Sequence, residues 1–350
     1  MRRFFAMVLA LVLLGGLSGC NSLEPEHREP GEYFYIRFLD VGQADAMLIG
    51  CDDHYMLVDG GNIENSSTVA AVLKRENITY LDYIVGTHPH EDHMGGLSGA
   101  LSVAKVGTAL APVETAGGLA FGNFVKYLKK QGKSITVPEC DSQFELGSAL
   151  VTVLGPRRDD YEDVNDTSII LMIQYGDTRF LLTGDAEGEA ERDLLDSGID
   201  LSCDLMKIGH HGSRTSTSYE FLNAVMPSQA VISVGKNNLF GHPKDEVLSR
   251  LRDADVTLYR TDMQGDILVQ SDGTTVTVTP SHSPNAVTNP TQHQGEGQNV
   301  VPAAYIGNSN SQKFHRLTCG SLPQEENRVY FDSRNAAVDG GYKPCGTCKP

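Results

Sequence analysis

Three histidines and two acids occupy the six positions from His88 to His93, in the order HPHEDH. The chain has only 11 histidines in 350 residues, so this local density is unusual. Imidazole and carboxylate groups suit zinc, and also manganese or iron. The spacing H-x-H-x-D-H allows neighbouring side chains to serve two metal ions rather than one. We therefore predict that His88, His90, Asp92 and His93 bind metal, in preference to forming a solvated polar loop.

The elements that must position these ligands are short apolar runs that end in acids or histidines. The run LDYIV at residues 81–85 precedes the histidine segment and is typical of a buried strand. A loop that leaves a strand can direct several side chains into one cleft. Similar runs end in LVDGG at Asp59, in FLLTGD at Asp185, and in KIGHHGS at His210 and His211. We expect these strand ends to contribute to the same site.

Two successive halves of the chain each mix predicted strands with predicted helices. Apolar periodicity and turn residues predict helices over residues 66–76, 96–104, 187–198, 219–225 and 244–253. Two mixed halves of this kind predict an α/β fold in which two sheets face each other with helices outside. We expect this four-layer αββα sandwich to span residues 33–280.

The first twenty residues have the pattern of a secretory signal, with two arginines, an apolar run and small residues. The uncharged part, residues 4–19, is shorter than the usual length of a membrane-spanning helix. The sequence LSGC resembles the lipobox of bacterial lipoproteins, which implies that Cys20 is lipidated and begins the mature chain. Residues 21–32 would then be a tether, and the protein would be lipid-anchored outside the cytoplasmic membrane. An uncleaved anchor or an ordinary signal peptide that releases the protein are the alternatives.

The C-terminal part has a different composition. Residues 281–303 are rich in Pro, Asn, Gln and Gly, which predicts a flexible linker. Residues 304–350 form a module too small for a secure core without help. Within it, His315-x3-Cys319 and Cys345-x2-Cys348 predict one structural zinc ion with four ligands. A disulfide of Cys345 with Cys319 or Cys348 is the alternative.

This C-terminal segment resembles the metal-binding domain of the Ada DNA-repair protein. That domain uses four cysteines, and His315 stands in place of the first. The alkyl-accepting chemistry of Ada is therefore not implied. The resemblance implies a closed site that holds a surface able to touch DNA or the cell envelope, and folding of the module would depend on the metal.

The net charge of −17 limits the classes of partner. A strongly acidic surface argues against loose, charge-driven binding to nucleic acid, which needs Lys and Arg to displace counterions. It leaves a phosphodiester substrate open, because bound divalent metals can supply local positive charge.

The motifs FLDVGQADAMLI, THPHEDH, GHHGS and FGHP together resemble those of the metallo-β-lactamase-fold hydrolases over residues 33–280. Among these, they are most similar to the hydrolase domain of competence proteins, which handle incoming DNA. The resemblance implies that Asp59 orients the metal-site loop and that Asp185 bridges two metals. Asp45 is a second candidate for an orienting role, with a plain turn acid as the alternative. The implied ligands are His88, His90 and Asp185, with Asn165 or water, for one metal, and Asp92, His93, Asp185 and His210 for the other.

Two positions depart from the family pattern. Ala44 replaces the second glycine of the usual VGQGD, and no histidine occurs between Gly96 and Asp185. The histidine that many members place there would complete the first metal site, and Asn165 in NDTS stands near its position. A softer first site, open to manganese, is implied. His211 is the alternative to His210 as the later ligand.

The resemblance implies hydrolysis of a phosphodiester, with DNA or RNA as the expected substrate, by hydroxide that two zinc or manganese ions generate from water. We count Asp92, Asn165, His211 and His242 as catalytic residues. His211 and His242 would serve as hydrogen-bond donors or as the general acid. The alternatives are a phosphodiesterase acting on teichoic acid or phosphorylcholine esters, and a non-catalytic DNA-binding lipoprotein that serves uptake. We expect a monomer.

Overall fold

The structure is a computed structural model that describes residues 34–290, 305–316, 319–324, 327–331 and 334–349. The predicted signal peptide with Cys20, the predicted tether at 21–32 and residues 291–303 of the predicted linker lie outside these ranges. Within the described ranges, no helix has both the length and the apolar character needed to cross a bilayer.

The first sheet has eight strands, and one half of it is parallel. The strands of this sheet are β1 (Phe34–Phe38), β2 (Met47–Cys51), β3 (His54–Val58), β4 (Tyr80–Val85), β5 (Lys105–Leu110), β6 (Ile135–Thr136), β14 (Ile267–Ser271) and β15 (Val276–Pro280). Their spatial order is β15-β14-β1-β2-β3-β4-β5-β6. Strands β3, β4, β5 and β6 run parallel to one another, and the other neighbouring strands pair antiparallel.

The second sheet has seven strands in the order β13-β12-β11-β10-β9-β8-β7. Its strands β10 to β13 are parallel, and β7 to β10 form an antiparallel meander. The strands are β7 (Gln143–Leu146), β8 (Ala149–Gly155), β9 (Ile170–Tyr175), β10 (Thr178–Leu182), β11 (Leu205–Lys207), β12 (Gln229–Ile232) and β13 (Thr257–Arg260).

The two sheets pack face to face. The ring of Phe34 in the first sheet stacks on that of Phe180 in the second, with centroids 4.8 Å apart. Alternation along β1 explains this, because Phe34, Ile36 and Phe38 point into the inter-sheet core and are fully buried. Burying each such side chain contributes about 1.5–3 kcal/mol.

Helices cover the outer face of each sheet. The first sheet carries α1 (Ser66–Arg75), α2 (Glu91–Met94), α3 (Leu97–Val103) and α4 (Leu119–Lys130), and their apolar sides form a second core. The second sheet carries α5 (Gly188–Asp196), α6 (Tyr219–Val225) and α7 (Asp245–Asp253) over a third core, and the short α8 spans Thr261–Gln264. Three short 3₁₀ helices span Ile63–Asn65, Val164–Thr167 and Gly209–Gly212. The predicted αββα sandwich is confirmed.

The domain continues past its predicted end at residue 280. Thr288 is buried and donates its hydroxyl to the carbonyl oxygen of Leu258, at 2.5 Å. Asn289 Nδ2 donates to the carbonyl oxygen of Leu248 at 3.0 Å. Residues 281–290, predicted as the start of a flexible linker, are therefore fixed to the domain. Apolar periodicity could not predict this, because the contacts are hydrogen bonds of polar side chains.

The C-terminal module contains a third, four-stranded sheet in the order β18-β16-β17-β19. Its described elements are β16 (Tyr305–Asn308), β17 (Lys313–Arg316), β18 (Arg328–Phe331), α9 (Arg334–Asp339) and β19 (Lys343–Pro344).

Candidate metal centre

Four side chains from three distant segments converge at the carboxyl ends of the parallel strands. One nitrogen or oxygen atom from each of them lies within 4.8 Å of all the others. His93 Nε2 is 3.2 Å from Asp185 Oδ2, and His211 Nε2 is 3.3 Å from Asp92 Oδ2. We call Asp92, His93, Asp185 and His211 the central cluster. The strand ends thus meet in one crevice, as open α/β sheets arrange their binding sites.

The predicted ligands His88 and His90 lie beside the central cluster rather than within it. Both follow β4 in the loop that leads to α2, and His88 Nε2 is 3.0 Å from His90 Nδ1. The Nδ1 atom of buried His88 lies 3.2 Å from the Thr87 hydroxyl and 3.4 Å from that of Ser168. Burial and the neighbouring His93 hold the pKa of His88 well below its usual value. His88 is therefore neutral, as a metal ligand must be.

Asp59 fixes the orientation of His93. Its Oδ2 lies 2.8 Å from His93 Nδ1, and its carboxylate accepts hydrogen bonds from the backbone N–H and the hydroxyl of Thr87, each at 2.8 Å. This leaves the other ring nitrogen of His93 facing Asp185. Close backbone contact supports the arrangement, because a Cβ added to Gly96 would lie 1.9 Å from the carbonyl oxygen of Gly60. The structure thus puts Asp59 where the predicted orienting role requires it.

Asp45 and a buried lysine lie behind His211. His211 Nδ1 is 2.9 Å from the carbonyl oxygen of Ser233 and 3.4 Å from Asp45 Oδ1. The other oxygen of Asp45 pairs with Lys207 Nζ at 2.7 Å, and both side chains are fully buried. Burial alone would raise the pKa of Asp45, but Lys207, His211 and His93 bring it below its usual value. Asp45 is therefore an anion that can hold His211, rather than a plain turn acid.

The structure corrects the choice between the two adjacent histidines. His211, not His210, belongs to the central cluster. The His210 side chain is a quarter exposed, and its Nδ1 lies 2.5 Å from Glu187 Oε1, although its Nε2 remains 3.7 Å from Asp185 Oδ2. Both histidines have positive φ, at 45° and 52°. This left-handed turn after β11 rotates the chain, so the second histidine points inward.

The negative charge of the carboxylates in and beside the central cluster favours the binding of cations. Burial alone would lower the pKa of His93, but Asp185, Asp59 and Asp92 raise it well above its usual value. Among the described residues, buried Asp185 Oδ1 and Asn165 Oδ1 have no hydrogen-bond partner. An unpartnered buried oxygen costs about 1–3 kcal/mol, and a bound divalent cation would remove that cost. The donor set of carboxylate and imidazole fits zinc or manganese.

Asn165 and His242 occupy the margins of the centre. Asn165 is buried, and its Nδ2 lies 3.5 Å from Glu187 Oε1. The His242 ring lies edge-on against that of His210, with centroids 5.6 Å apart. Burial and the neighbouring His210 lower the pKa of His242 to about 4. His242 is therefore uncharged at neutral pH, so it can donate a hydrogen bond but does not store a proton as the predicted general acid would.

A second group of metal-binding side chains lies in the C-terminal module. One atom each from His315, Cys319, Cys345 and Cys348, which we call the C-terminal cluster, lies within 4.8 Å of the others. All three cysteines are free thiols, and the structure shows no disulfide among them. Backbone N–H groups of Cys348 and Thr347 lower the pKa of Cys345 to about 7, which favours the thiolate that binds metal.

Comparison with known proteins identifies both regions. The model of the metallo-beta-lactamase superfamily matches residues 39–236 of the 350. The chain belongs to this superfamily of metal-dependent hydrolases. The model of the metal binding domain of Ada matches residues 298–350. The predicted resemblance to both families is confirmed.

Two curated relatives of this metallo-beta-lactamase superfamily member are a ComE operon protein and a competence protein. The chain is 28% identical over 250 residues to ComE operon protein 3 of Bacillus subtilis, covering 66% of this chain and 32% of the relative. It is 29% identical over 251 residues to competence protein ComA of Neisseria gonorrhoeae, covering 71% and 34%. The chain thus spans about a third of the length of these relatives. The crystal structure of the metallo-beta-lactamase fold protein YhfI from Bacillus subtilis aligns with a TM-score of 0.42 and 12% identity. The alignment covers 64% of this chain and 95% of that one.

Sequence reasoning missed two residues of the centre in this superfamily member. Lys207 interrupts the apolar run LMKIG, and a lysine inside a buried strand could have indicated a buried ion pair. Glu187 stands two positions after Asp185 and accepts hydrogen bonds from Thr215 Oγ1, at 2.5 Å, as well as facing His210. Nothing in its sequence context distinguishes Glu187 from a surface acid at the start of α5.

Proposed function

We propose that the protein is a metal-dependent phosphodiesterase that cleaves nucleic acid outside the cytoplasmic membrane. The observation that carries this proposal is the central cluster, where half-buried Asp92 and the buried imidazoles of His93 and His211 lie around buried Asp185, one oxygen of which has no partner. Similarity to a ComE operon protein and to a competence protein supports nucleic acid as the substrate class.

The residues of the centre would have two roles, binding metal and orienting the residues that bind it. The central cluster would hold one divalent cation, and His88 and His90 with Asp185 would hold another. When bound, such cations supply positive charge for phosphate oxygens and lower the pKa of water. Asp59 keeps His93 in one orientation, and Asp45 does the same for His211. This preorganisation spares the active site a rearrangement during the reaction.

His210 and His242 face the substrate side. His210 is partly exposed, and Glu187 holds its Nδ1, so its Nε2 is directed toward the crevice. We assign to His210 the contact with a phosphate oxygen or with the leaving oxygen that the sequence suggested for His211. Neutral His242 next to it can donate a second hydrogen bond to the substrate.

We also propose the placement of the chain and the role of its C-terminal module. The lipobox-like LSGC supports lipidation at Cys20, which would anchor the protein outside the cytoplasmic membrane. Three thiols and one imidazole within bonding reach of one ion support a structural zinc in the C-terminal cluster.

A substrate panel tests the function. The purified full chain should cleave single-stranded DNA or RNA with manganese or zinc, and EDTA should stop the reaction. Asp185→Asn should remove cleavage, whereas Asp82→Asn, at a partly exposed His54–Asp82 pair of the same fold, should retain it. Metal-loaded protein that leaves DNA and RNA intact would contradict the proposal, and cleavage of polyglycerol phosphate alone would support the teichoic-acid alternative.

A further inference from the structure

An exposed apolar pair lies at the mouth of the metal centre. Leu239 is fully exposed and Phe240 is 64% exposed. Both belong to the segment 235–244, GKNNLFGHPK, which follows β12. The Phe240 ring stacks on the ring of His242 with centroids 5.7 Å apart and planes inclined by 28°. His242 in turn contacts His210, and His210 Nε2 lies 3.7 Å from Asp185 Oδ2. A chain of two histidine rings therefore links the exposed Phe240 ring to the central cluster.

Hydrogen bonds hold this segment in its shape. Asn238 Nδ2 donates to the carbonyl oxygens of Gly235, at 2.9 Å, and His242, at 2.7 Å. Asn238 Oδ1 accepts from the backbone N–H of His242 at 3.0 Å, and Lys244 Nζ donates to the carbonyl oxygen of Phe240 at 2.5 Å. These hydrogen bonds already order the loop that exposes the apolar pair. A ligand that covers the pair therefore binds at little cost in loop entropy.

The segment that carries the pair is positively charged, unlike the chain as a whole. The segment carries Lys236 and Lys244 and no acid, although the protein has a net charge of −17. A cavity of about 410 Å³ adjoins the loop and is lined by Lys236, His242 and the ion pair of Arg260 with Asp262, among others. Cations next to an exposed aromatic face fit a ligand that combines an aromatic ring with an anionic backbone.

We propose that Phe240, backed by His242 and flanked by Leu239, binds an unpaired nucleobase of the substrate while Lys236 and Lys244 attract the adjoining phosphates. This inference rests on the proposed function and specifies its substrate as single-stranded nucleic acid, because a base can stack on a side chain only when it is not paired. A polyglycerol phosphate chain has no aromatic face and would gain nothing from the pair.

Binding measurements test the role of Phe240. The full chain with manganese is titrated with a single-stranded phosphorothioate oligonucleotide, which resists cleavage, and with an abasic strand of equal length, both followed by fluorescence anisotropy. Phe240→Ala should weaken binding of the oligonucleotide about tenfold, the scale of one lost stacked base, and should leave the abasic strand unaffected. Phe240→Trp should restore binding. Met226→Ala, which removes a 69% exposed apolar side chain at the end of α6, is the matched control and should change neither.

Several outcomes would overturn this assignment. Unchanged oligonucleotide affinity in Phe240→Ala, or an equal loss for both strands, would show that no base stacks there. A change in sedimentation or vesicle binding with unchanged oligonucleotide affinity would assign the pair to a second copy of the chain or to lipid. If the wild type binds the oligonucleotide through Phe240 but cleaves no nucleic acid with any metal, the proposed function fails and this binding site stands.

Discussion

The central cluster and the C-terminal cluster were both predicted as metal sites, yet they are built differently. The central cluster gathers carboxylates and imidazoles from residues that stand 119 positions apart in the chain, Asp92 and His211. The C-terminal cluster takes three thiols and one imidazole from a single small module, between His315 and Cys348. The first therefore depends on the fold being formed, whereas we expect the fold of the module to depend on a bound metal.

The surroundings of the two clusters differ as well. Behind the central cluster stand buried charged partners, including Asp59 and the Asp45–Lys207 pair, and one oxygen of Asp185 has no partner. The C-terminal sulfurs accept backbone hydrogen bonds instead, with the N–H groups of Arg316 and Thr347 each 3.4 Å from a sulfur. An oriented site with spare ligand capacity is suited to catalysis, and a four-ligand site closed by backbone is suited to structure.

Removing Asp185 should break the central site alone. Asp185→Asn is expected to lower hydrolysis more than about 100-fold, beyond the effect of losing an outer partner of a ligand. The variant should retain the metal of the C-terminal cluster. Elemental analysis of metal per chain, measured with the rate, checks this. Loss of metal from both clusters together would show that they are not independent.

Removing a thiol should have the opposite pattern. Cys345→Ser is expected to unfold the module, because metal binding to such sites supplies about 10–16 kcal/mol of folding free energy. Limited proteolysis should then cut the module rapidly while hydrolysis of a small phosphodiester continues. Cys140→Ser, at a half-buried thiol of the hydrolase domain, is the control and should leave the proteolysis pattern unchanged. A Cys345→Ser protein whose module resists protease would mean that the C-terminal cluster does not hold the module together.

The buried ion pair sharpens the contrast in stability. Lys207→Met leaves the Asp45 carboxylate buried without its cation, so the free energy of unfolding should fall by about 3–5 kcal/mol. The double variant Lys207→Met/Asp45→Asn should recover part of this loss. Urea unfolding of the full chain measures both, with Lys105→Met at an exposed site as the control. A loss below about 1 kcal/mol would mean that Asp45 is adequately solvated.

The sequence anticipated the parts of this site that depend on strand ends. Val85, Leu182 and Lys207 end parallel strands, and the ligands follow within a few residues of each. Apolar runs predicted those strands, so His93 and Asp185 could be placed together without a structure. The Ada-like cluster was predicted for a simpler reason, because its ligands are close in sequence.

The parts that failed depend on backbone turns and distant pairing. Left-handed φ angles at His210 and His211 decide which of these adjacent side chains points inward. A histidine in the sequence does not by itself predict such angles. The pairing of Lys207 with Asp45 joins β11 of the second sheet to the loop between β1 and β2 of the first. The Leu119–Lys130 helix went unpredicted, because no strong start signal precedes it and Gly118 stands at its N-cap.

The orienting acid should have a smaller effect than the ligands. Asp59→Asn is expected to lower activity or metal affinity about 10- to 100-fold, the usual range for a partner that fixes a ligand histidine. Asp82→Asn removes a carboxylate at a similar distance, 2.9 Å, from the Nδ1 of exposed His54 and should have no effect on activity. Equal activity of Asp59→Asn and the wild type would show that the contacts of His93 within the central cluster are enough to orient it.

The smallest effect is expected at His242. Because burial and His210 lower its pKa to about 4, it is already neutral above about pH 5, and its protonation cannot shape the rate between about pH 6 and pH 9. His242→Gln keeps a hydrogen-bond donor of similar reach, so the rate on single-stranded DNA should change less than about tenfold, and the pH–rate profile should keep its form. A rate limb with an apparent pKa between about 6 and 7 that disappears in His242→Gln would make this residue a proton donor after all. A titrating His242 would place proton transfer at the mouth of the centre, outside the central cluster.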